Sequence, residues 1–289
     1  MHAIDFKQVD VFTTRPFKGN PVAVIMDASA LSSEQMQAIA QWTNLSETTF
    51  VLPPEHPEAD YRVRIFTPQS ELPFAGHPTI GTAHALIEAQ RISPREGKLI
   101  QQCAAGLIPL QVTPENEGLR IAFELPPLTI TPLNDGHIEQ LERLLQCPID
   151  RTYRPALVDV GPRWIVAQAR NAHTLLESKP AFAELGELHR DLDETGVTLF
   201  GFYAQASRIE VRSFAPACGV NEDPVCGSGN GAVAAFIRHH AISIPEDGLL
   251  TSTQGRCLGR DGHLSLSITE DAISVGGHAL TCIKGTINV

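Results

Sequence analysis

Glu47 is the first residue whose setting suggests chemistry. It lies in Asn44-Leu45-Ser46-Glu47-Thr48-Thr49-Phe50, just after a helix-forming stretch and just before an apolar strand. A carboxylate at such a joint, partly withdrawn from water, would have a raised pKa and serve as both proton acceptor and donor. Taken alone, a glutamate there is more often solvated or capping. Two glycine-led helix starts add to the case: Pro73-Phe74-Ala75-Gly76-His77-Pro78-Thr79 and Asp223-Pro224-Val225-Cys226-Gly227-Ser228-Gly229. The first turn of a helix has unpaired backbone N–H groups and partial positive charge. Glycine at that point lets a ligand come close to the backbone. Two such termini together could hold a carboxylate without lysine or arginine. Each glycine singly reads as helix punctuation; recurrence at corresponding places favours binding.

That recurrence runs through the chain. Val9-Asp10-Val11 returns as Val158-Asp159-Val160 and Thr49-Phe50-Val51 as Thr198-Leu199-Phe200, both 149 positions later; Ala105-Gly106 and Gln254-Gly255 keep the same offset. Val63-Arg64-Ile65-Phe66 returns as Val211-Arg212-Ser213-Phe214, 148 positions on. Apolar runs at 21–25 and 163–167 correspond, as do helical stretches at 33–42 and 182–192. The chain therefore reads as an internal duplication. Each half is predicted as strands, a helix, strands, a glycine-led helix, then two or three strands. Late strands are expected at 107–112, 119–125, 264–268 and 272–275, the last two joined by Thr269-Glu270-Asp271. The helices at 80–89 and 231–237 are apolar all round and should be buried. Many strands with few helices imply an α+β fold, each half a curved, mostly antiparallel sheet wrapped round a central helix. The Pro-rich stretch 125–132 is the natural boundary, giving halves at 1–125 and 126–282, with 283–289 able to cross back to the first. The two helix starts are expected to face each other across the cleft between the halves.

Composition narrows the class. With 289 residues and 43% hydrophobic content the chain can bury a proper core, and 19% charged residues do not suggest disorder. The net charge is −11 and the 22 Lys and Arg are scattered, which argues against nucleic-acid binding. A local positive pocket for a small anion is still compatible with an acidic surface. No apolar run approaches the roughly 18–20 residues of a membrane span, and the N-terminus lacks a basic-then-apolar signal. A cytoplasmic protein without membrane partners is expected. The six cysteines form no C-x-x-C pair and no close Cys/His cluster, so they read as reduced thiols, with no metal. There is no G-x-G-x-x-G after a first strand and no P-loop, hence no nucleotide cofactor.

Several motifs together resemble the PhzF family, the phenazine-biosynthesis-like isomerases. They are Asn44-Leu45-Ser46-Glu47-Thr48-Thr49-Phe50-Val51; Phe66-Thr67-Pro68 followed by Glu71-Leu72-Pro73-Phe74-Ala75-Gly76-His77-Pro78-Thr79; and Glu222-Asp223-Pro224 followed by Gly227-Ser228-Gly229. Val9-Asp10-Val11-Phe12 and Gly19-Asn20-Pro21-Val22-Ala23-Val24 also fit, so the likeness spans nearly the whole chain. The resemblance implies a fold like that of diaminopimelate epimerase. It also implies cofactor-free isomerisation of a small carboxylate-bearing, dihydro-hydroxyanthranilate-like metabolite by a proton shift. Carried over by motif, Glu47 is the general acid/base; His77, Asp223 and Ser228 hold and polarise the substrate. Ser46 and the backbone at Gly76 and Gly227 bind it. By analogy the protein is a homodimer.

The chain departs from the family at one point. Many members carry Thr just before the second Gly-Ser, where this chain has Cys226. The epimerase relatives use two facing thiols, but the first-half counterpart of Cys226 is Ala75. A thiol pair is thus absent, and Cys226 reads as a packing residue ahead of a reactive one. Two alternatives stand beside the isomerase: an amino-acid racemase or epimerase on the same scaffold, and a silent binding protein. His84 reads as helix packing, His239-His240 as the solvated end of a helix, and Arg260 has no assigned role.

Overall fold

The computed structural model describes residues 3–192 and 194–289. The first unit comprises Met1–Glu124 with Gly276–Val289, and the second Leu125–Val275. The break falls at the Pro-rich stretch. The returning segment starts at Gly276, earlier than the 283–289 of the sequence reading, and 126–282 is correspondingly shortened.

In the first unit the chain runs β1 (Ala3–Val11), β2 (Asn20–Ile25), α1 (Ser33–Thr43), β3 (Glu47–Leu52), β4 (Tyr61–Phe66), β5 (Glu71–Leu72), α2 (Gly76–Glu88), β6 (Lys98–Cys103), β7 (Gly106–Glu115) and β8 (Gly118–Glu124). The second has β9 (Thr129–Pro132), α3 (Asp135–Leu145), β10 (Ala156–Asp159), β11 (Arg163–Gln168), α4 (Ala172–Leu176), α5 (Phe182–Asp191), β12 (Gly196–Phe202), β13 (Arg208–Ala215), β14 (Val220–Asp223), α6 (Gly227–His239), β15 (Leu249–Gln254) and β16 (Gly262–Ile268). After β17 (Ile273–Gly277), β18 (Ala279–Asn288) returns to pair with β1.

The duplication is written in the pairing. β1–β2 is antiparallel, β2–β3 parallel, β3–β4 antiparallel and β4–β6 parallel. β10–β11, β11–β12, β12–β13 and β13–β15 repeat that order of senses. Even the return strand has its counterpart, since β9 flanks β10 as β18 flanks β1. Each unit is thus a mostly antiparallel sheet around a central helix, as expected. The repeated Val-Asp-Val has a local cause: Asp10 accepts from the Lys18 and Gly19 amides, and Asp159 from the Gly161 amide, so each ends its strand in a side-chain-held turn.

Layering explains why the strands are not amphipathic. β3 is buried at every position after Glu47, the pattern of a strand covered on both faces. Phe50 packs with Met36 and Ala40 of α1, while Thr49 Oγ1 lies 2.8 Å from Thr82 Oγ1 of α2. In the second unit Leu199, Val197 and Ile165 pack with Leu185 of α5 and with Ile138, Leu141 and Leu145 of α3. The central helices α2 and α6 each bury ten residues. Both extend beyond the apolar stretches read from sequence, starting at the glycines Gly76 and Gly227. Lys7, only 3% exposed, donates to the Ala85 carbonyl and pairs with Glu88, placing a cation at the C-terminal end of α2. Among the described residues, helices α3 and α4 have no counterpart in the first unit. Among the described residues no helix is long and apolar enough to cross a membrane.

Candidate active site

Glu47 owes its place to the way α1 ends. Ser32 and Gln35 form a capping box at its start, and Asn44 closes it in the left-handed conformation (φ 52°). The chain then reverses into half-buried Ser46 and enters β3 at Glu47. The Thr43 and Thr48 hydroxyls meet at 2.9 Å across this connection. Thr82, in the second turn of α2, ties the helix to β3 through Thr49.

This scaffold brings His77 to Glu47. His77 Nε2 stands 3.3 Å from Glu47 Oε2, with the imidazole 6% exposed and the carboxylate 16%. Burial pulls the His77 pKa down to about 3, so the ring is neutral at physiological pH. A ring N–H bonds to the Pro21 carbonyl. Since Nε2 is the atom facing Glu47, that proton sits on Nδ1 and Nε2 offers a lone pair. A protonated Glu47 would donate to that lone pair; an ionised Glu47 would lack this partner. A carboxyl group so placed can hold a proton and give it up. His77 also lies in the first turn of α2, whose N-cap, Ala75, has no side chain to bond the free N–H groups. Gly76 is buried, and a Cβ there would stand 2.5 Å from the Phe123 ring, so the close packing at this terminus needs glycine.

The second unit gathers Asp223, Cys226, Gly227 and Ser228. Asp223 ends β14 and accepts from the Val225 amide at 3.0 Å. Desolvation pushes its pKa up to about 6, with the Glu222 charge adding to it; the Val225 amide and the Cys226 side chain oppose the shift. Ser228 Oγ accepts from Trp164 Nε1 at 3.0 Å and also lies 3.6 Å from Cys226 Sγ, where either group can donate. Cys226 is the N-cap of α6, its Sγ accepting from the Gly229 amide at 3.3 Å. Its thiol pKa lies well above the ordinary value, first through burial and then through the Asp223 charge. The geometry is that of a helix cap, and burial disfavours the thiolate. A threonine oxygen could make the same bond. The amides of Gly227 and Ser228 precede the capped one in the first turn of a 13-residue helix.

Each unit thus assembles its own share of the residues picked from sequence. Sequence reading missed Trp164, Gln254 and Asn230. Asn230 and Gln254 are both wholly buried and bond to the loop that carries Asp223. A polar Asn in an otherwise apolar helix was the available signal. His239 is exposed as read, but His240 is half-buried, its ring 4.4 Å from Phe236 and its Nε2 3.1 Å from the Arg154 carbonyl. All six cysteines are free thiols.

The chain matches the family model described as phenazine biosynthesis-like protein (PhzC-PhzF) over residues 9–285. It is 45% identical to Antisense-enhancing sequence 1 of Schizosaccharomyces pombe, covering 97% of each chain. It is 32% identical to the trans-2,3-dihydro-3-hydroxyanthranilate isomerase of Pseudomonas chlororaphis, covering 96% of this chain and 97% of that one. A crystal structure of a PhzF-family phenazine biosynthesis protein from Bacillus anthracis superposes with a TM-score of 0.88 at 24% identity, covering all of both chains.

Proposed function

The chain belongs to the phenazine biosynthesis-like (PhzC-PhzF) family, and from that premise we propose that Glu47 moves a proton between two carbons of a small cyclic carboxylate. It is an isomerase of the PhzF type with the diaminopimelate epimerase-like α+β fold. The substrate class proposed is that of a dihydro-hydroxyanthranilate, the compound named for the 32% identical relative.

The observation that carries this reading is the neutral His77 Nε2 facing Glu47 Oε2 at 3.3 Å. As an ionised base, Glu47 takes a proton from a ring carbon; as the resulting acid, it is steadied by the His77 lone pair. It then delivers the proton to a second carbon, the double bond shifts, and no proton is gained or lost overall. No electron acceptor or donor is required by such a step. Asp223, protonated at mildly acidic pH, and the Ser228 hydroxyl are suited to donate hydrogen bonds to substrate oxygen or nitrogen. Ser46 and the amides at Gly76 and Gly227 are assigned to binding, the amides to its carboxylate. We further propose a cytoplasmic homodimer; light scattering on the purified chain reads the oligomeric state.

The test is deuterium uptake from D2O into a panel of cyclic and amino carboxylic acids, including a dihydro-hydroxyanthranilate, followed by mass spectrometry. Label with wild type and none with Glu47→Gln is expected. Equal label with both would remove Glu47 from the chemistry.

A further inference from the structure

Gln254 ends β15 and is wholly buried. Its carboxamide is used at both ends. Oε1 accepts from the Cys226 amide at 3.1 Å and from Asn230 Nδ2 at 2.8 Å; Nε2 donates to the Asp223 carbonyl at 2.9 Å. One side chain therefore grips both ends of the four-residue loop Asp223-Pro224-Val225-Cys226. Asn230 completes the grip from within α6, its Nδ2 donating to the Cys226 carbonyl at 2.8 Å and its Oδ1 accepting from Ser252.

The orientation is forced. A backbone amide can only donate, so the oxygen must face Cys226; a carbonyl can only accept, so the nitrogen must face Asp223. A flipped amide would turn its N–H groups towards two donors and its oxygen towards an acceptor. The turn after Gln254 adds steric support: Gly255 has φ +94°, and a Cβ there would stand 2.5 Å from the Pro224 carbonyl oxygen. The loop is thus held by hydrogen bonds at its ends and by backbone contact at its middle.

We propose that Gln254 is a positioning residue of the active site, fixing the Asp223 carboxyl and the first free amides of α6 relative to each other. This rests on the functional reading above, because it takes Asp223 and the Gly227 terminus as substrate-holding groups. A buried network with every member satisfied holds its parts in one arrangement, and losing a single partner leaves a buried group unpaired. The arrangement is closed: Ser252 to Asn230, Asn230 to Gln254, Gln254 to both loop ends. Charged and titratable groups around Asp223 include Glu222, itself paired with Arg212, and the Cys226 thiol.

Gln254→Glu is the incisive change. It keeps the acceptor towards Cys226 and Asn230 and, when ionised, replaces the donor towards the Asp223 carbonyl with a second acceptor and adds a negative charge to the loop. Gln254→Met keeps the length and removes both functions without charge. Two readouts are needed. Proton exchange into substrate is expected to fall by about 10- to 100-fold in kcat/KM with Gln254→Glu, more through kcat than KM. In the free protein, 13C NMR of the Asp223 carboxyl is expected to show its pKa raised by about half a unit or more in Gln254→Glu, and displaced towards the ordinary carboxylate value in Gln254→Met. Gln101→Glu is the control for a structural role. That glutamine is also wholly buried, between Tyr61 and Thr79 of the first unit, and its change should alter melting without moving the Asp223 titration. An Asp223 titration unmoved by both Gln254 variants overturns the proposal, as does kcat/KM within about twofold of wild type. If Gln254→Glu does not fold, Gln254→Met alone decides. Should wild type exchange no proton into any compound, the functional reading fails, and the NMR titration still tests the clamp by itself.

Discussion

Nε2 of His77 and Oε2 of Glu47 stand 3.3 Å apart, with the imidazole held neutral by burial. Glu47→Gln is nearly isosteric, and its amide can still donate to Nε2. Folding should therefore change little, by less than about 1 kcal/mol. Proton exchange, however, loses its acid/base, and a drop of about 10²- to 10⁴-fold is expected. Glu47→Asp retains a carboxyl but draws it back from His77 by one methylene, and should fall between the two. Rates of deuterium uptake beside urea-unfolding midpoints read both effects. A Gln variant that exchanges at the wild-type rate would show that the proton travels by another group.

His77 and Asp223 give opposite pH signatures. The folded His77 has its pKa near 3, below the ordinary 6.5, so the unfolded chain binds the extra proton. Its contribution to stability is complete above about pH 6.5 and is lost as the pH falls towards 3. Asp223 is raised from 3.8 to about 6, so the folded chain binds the extra proton. Its contribution is complete below about pH 4 and is lost as the pH rises through 6. Each slope is bounded by about 1.4 kcal/mol per pH unit. Relative to wild type, His77→Gln should thus gain stability as the pH drops below about 6.5, whereas Asp223→Asn should gain as the pH rises from about 4 to 6. Urea unfolding in half-unit pH steps decides. Parallel curves for a variant and wild type would mean that its group does not titrate as described.

Cys226 acts as a cap, so its replacements should sort by hydrogen-bonding ability and not by sulfur chemistry. Cys226→Thr keeps an acceptor for the Gly229 amide and should preserve both stability and exchange. Cys226→Ala leaves that amide uncapped and should cost about 1 kcal/mol. Native protein treated with iodoacetamide near neutral pH should be modified at exposed Cys218 and Cys257 before buried Cys226. Abolished exchange in the Thr variant, or fast alkylation of Cys226, would return the thiol to the chemistry.

What was legible in the sequence followed from repetition. The Val-Asp-Val turns and the paired strands around Phe50 and Leu199 recur 149 positions apart, and the starts at Gly76 and Gly227 recur 151 apart, because each serves the same local purpose in both units. What the duplication did not copy was harder to see. Helix α3 carries Asn134 as N-cap and the apolar series Ile138, Leu141, Leu144 and Leu145, an ordinary amphipathic signal. It was hidden because it follows the Pro-rich boundary and has no partner in the first half. The supports of the site were less visible still. Trp164 reaches Ser228 across 64 positions and Gln254 reaches Asp223 across 31, so no local pattern links them. Glu47 and His77 were each recognisable by motif, but only the fold brings Nε2 to the carboxyl oxygen.

The two arginine–glutamate forks show how an insertion changes the energetics of a duplicated contact. Arg64 meets Glu71 with Nε and Nη2 at 2.7 and 2.6 Å, and Arg212 meets Glu222 in the same way at 2.9 Å for both. In each unit the fork ties the fourth repeated strand to the short strand that leads into the glycine-led helix. The first pair is 27% and 34% exposed, the second 5% and 6%. The difference comes from α4 and the residues just after it, without counterpart among the described residues of the first half: Arg212 Nη1 also donates to the Leu175 and Ser178 carbonyls, whereas Arg64 Nη1 donates to the Ser33 hydroxyl. Glu71→Gln should therefore cost no more than about 1 kcal/mol, because solvent compensates an exposed arginine. Glu222→Gln leaves a buried guanidinium without its counter-charge and should cost about 3–5 kcal/mol. The double change Arg212→Met with Glu222→Leu should recover much of that loss, since the penalty lies in the unpaired charge and not in the missing contact. Urea-unfolding midpoints of the three proteins provide the measurement. Equal costs for Glu71→Gln and Glu222→Gln would mean that burial by the inserted helix does not govern the strength of the fork.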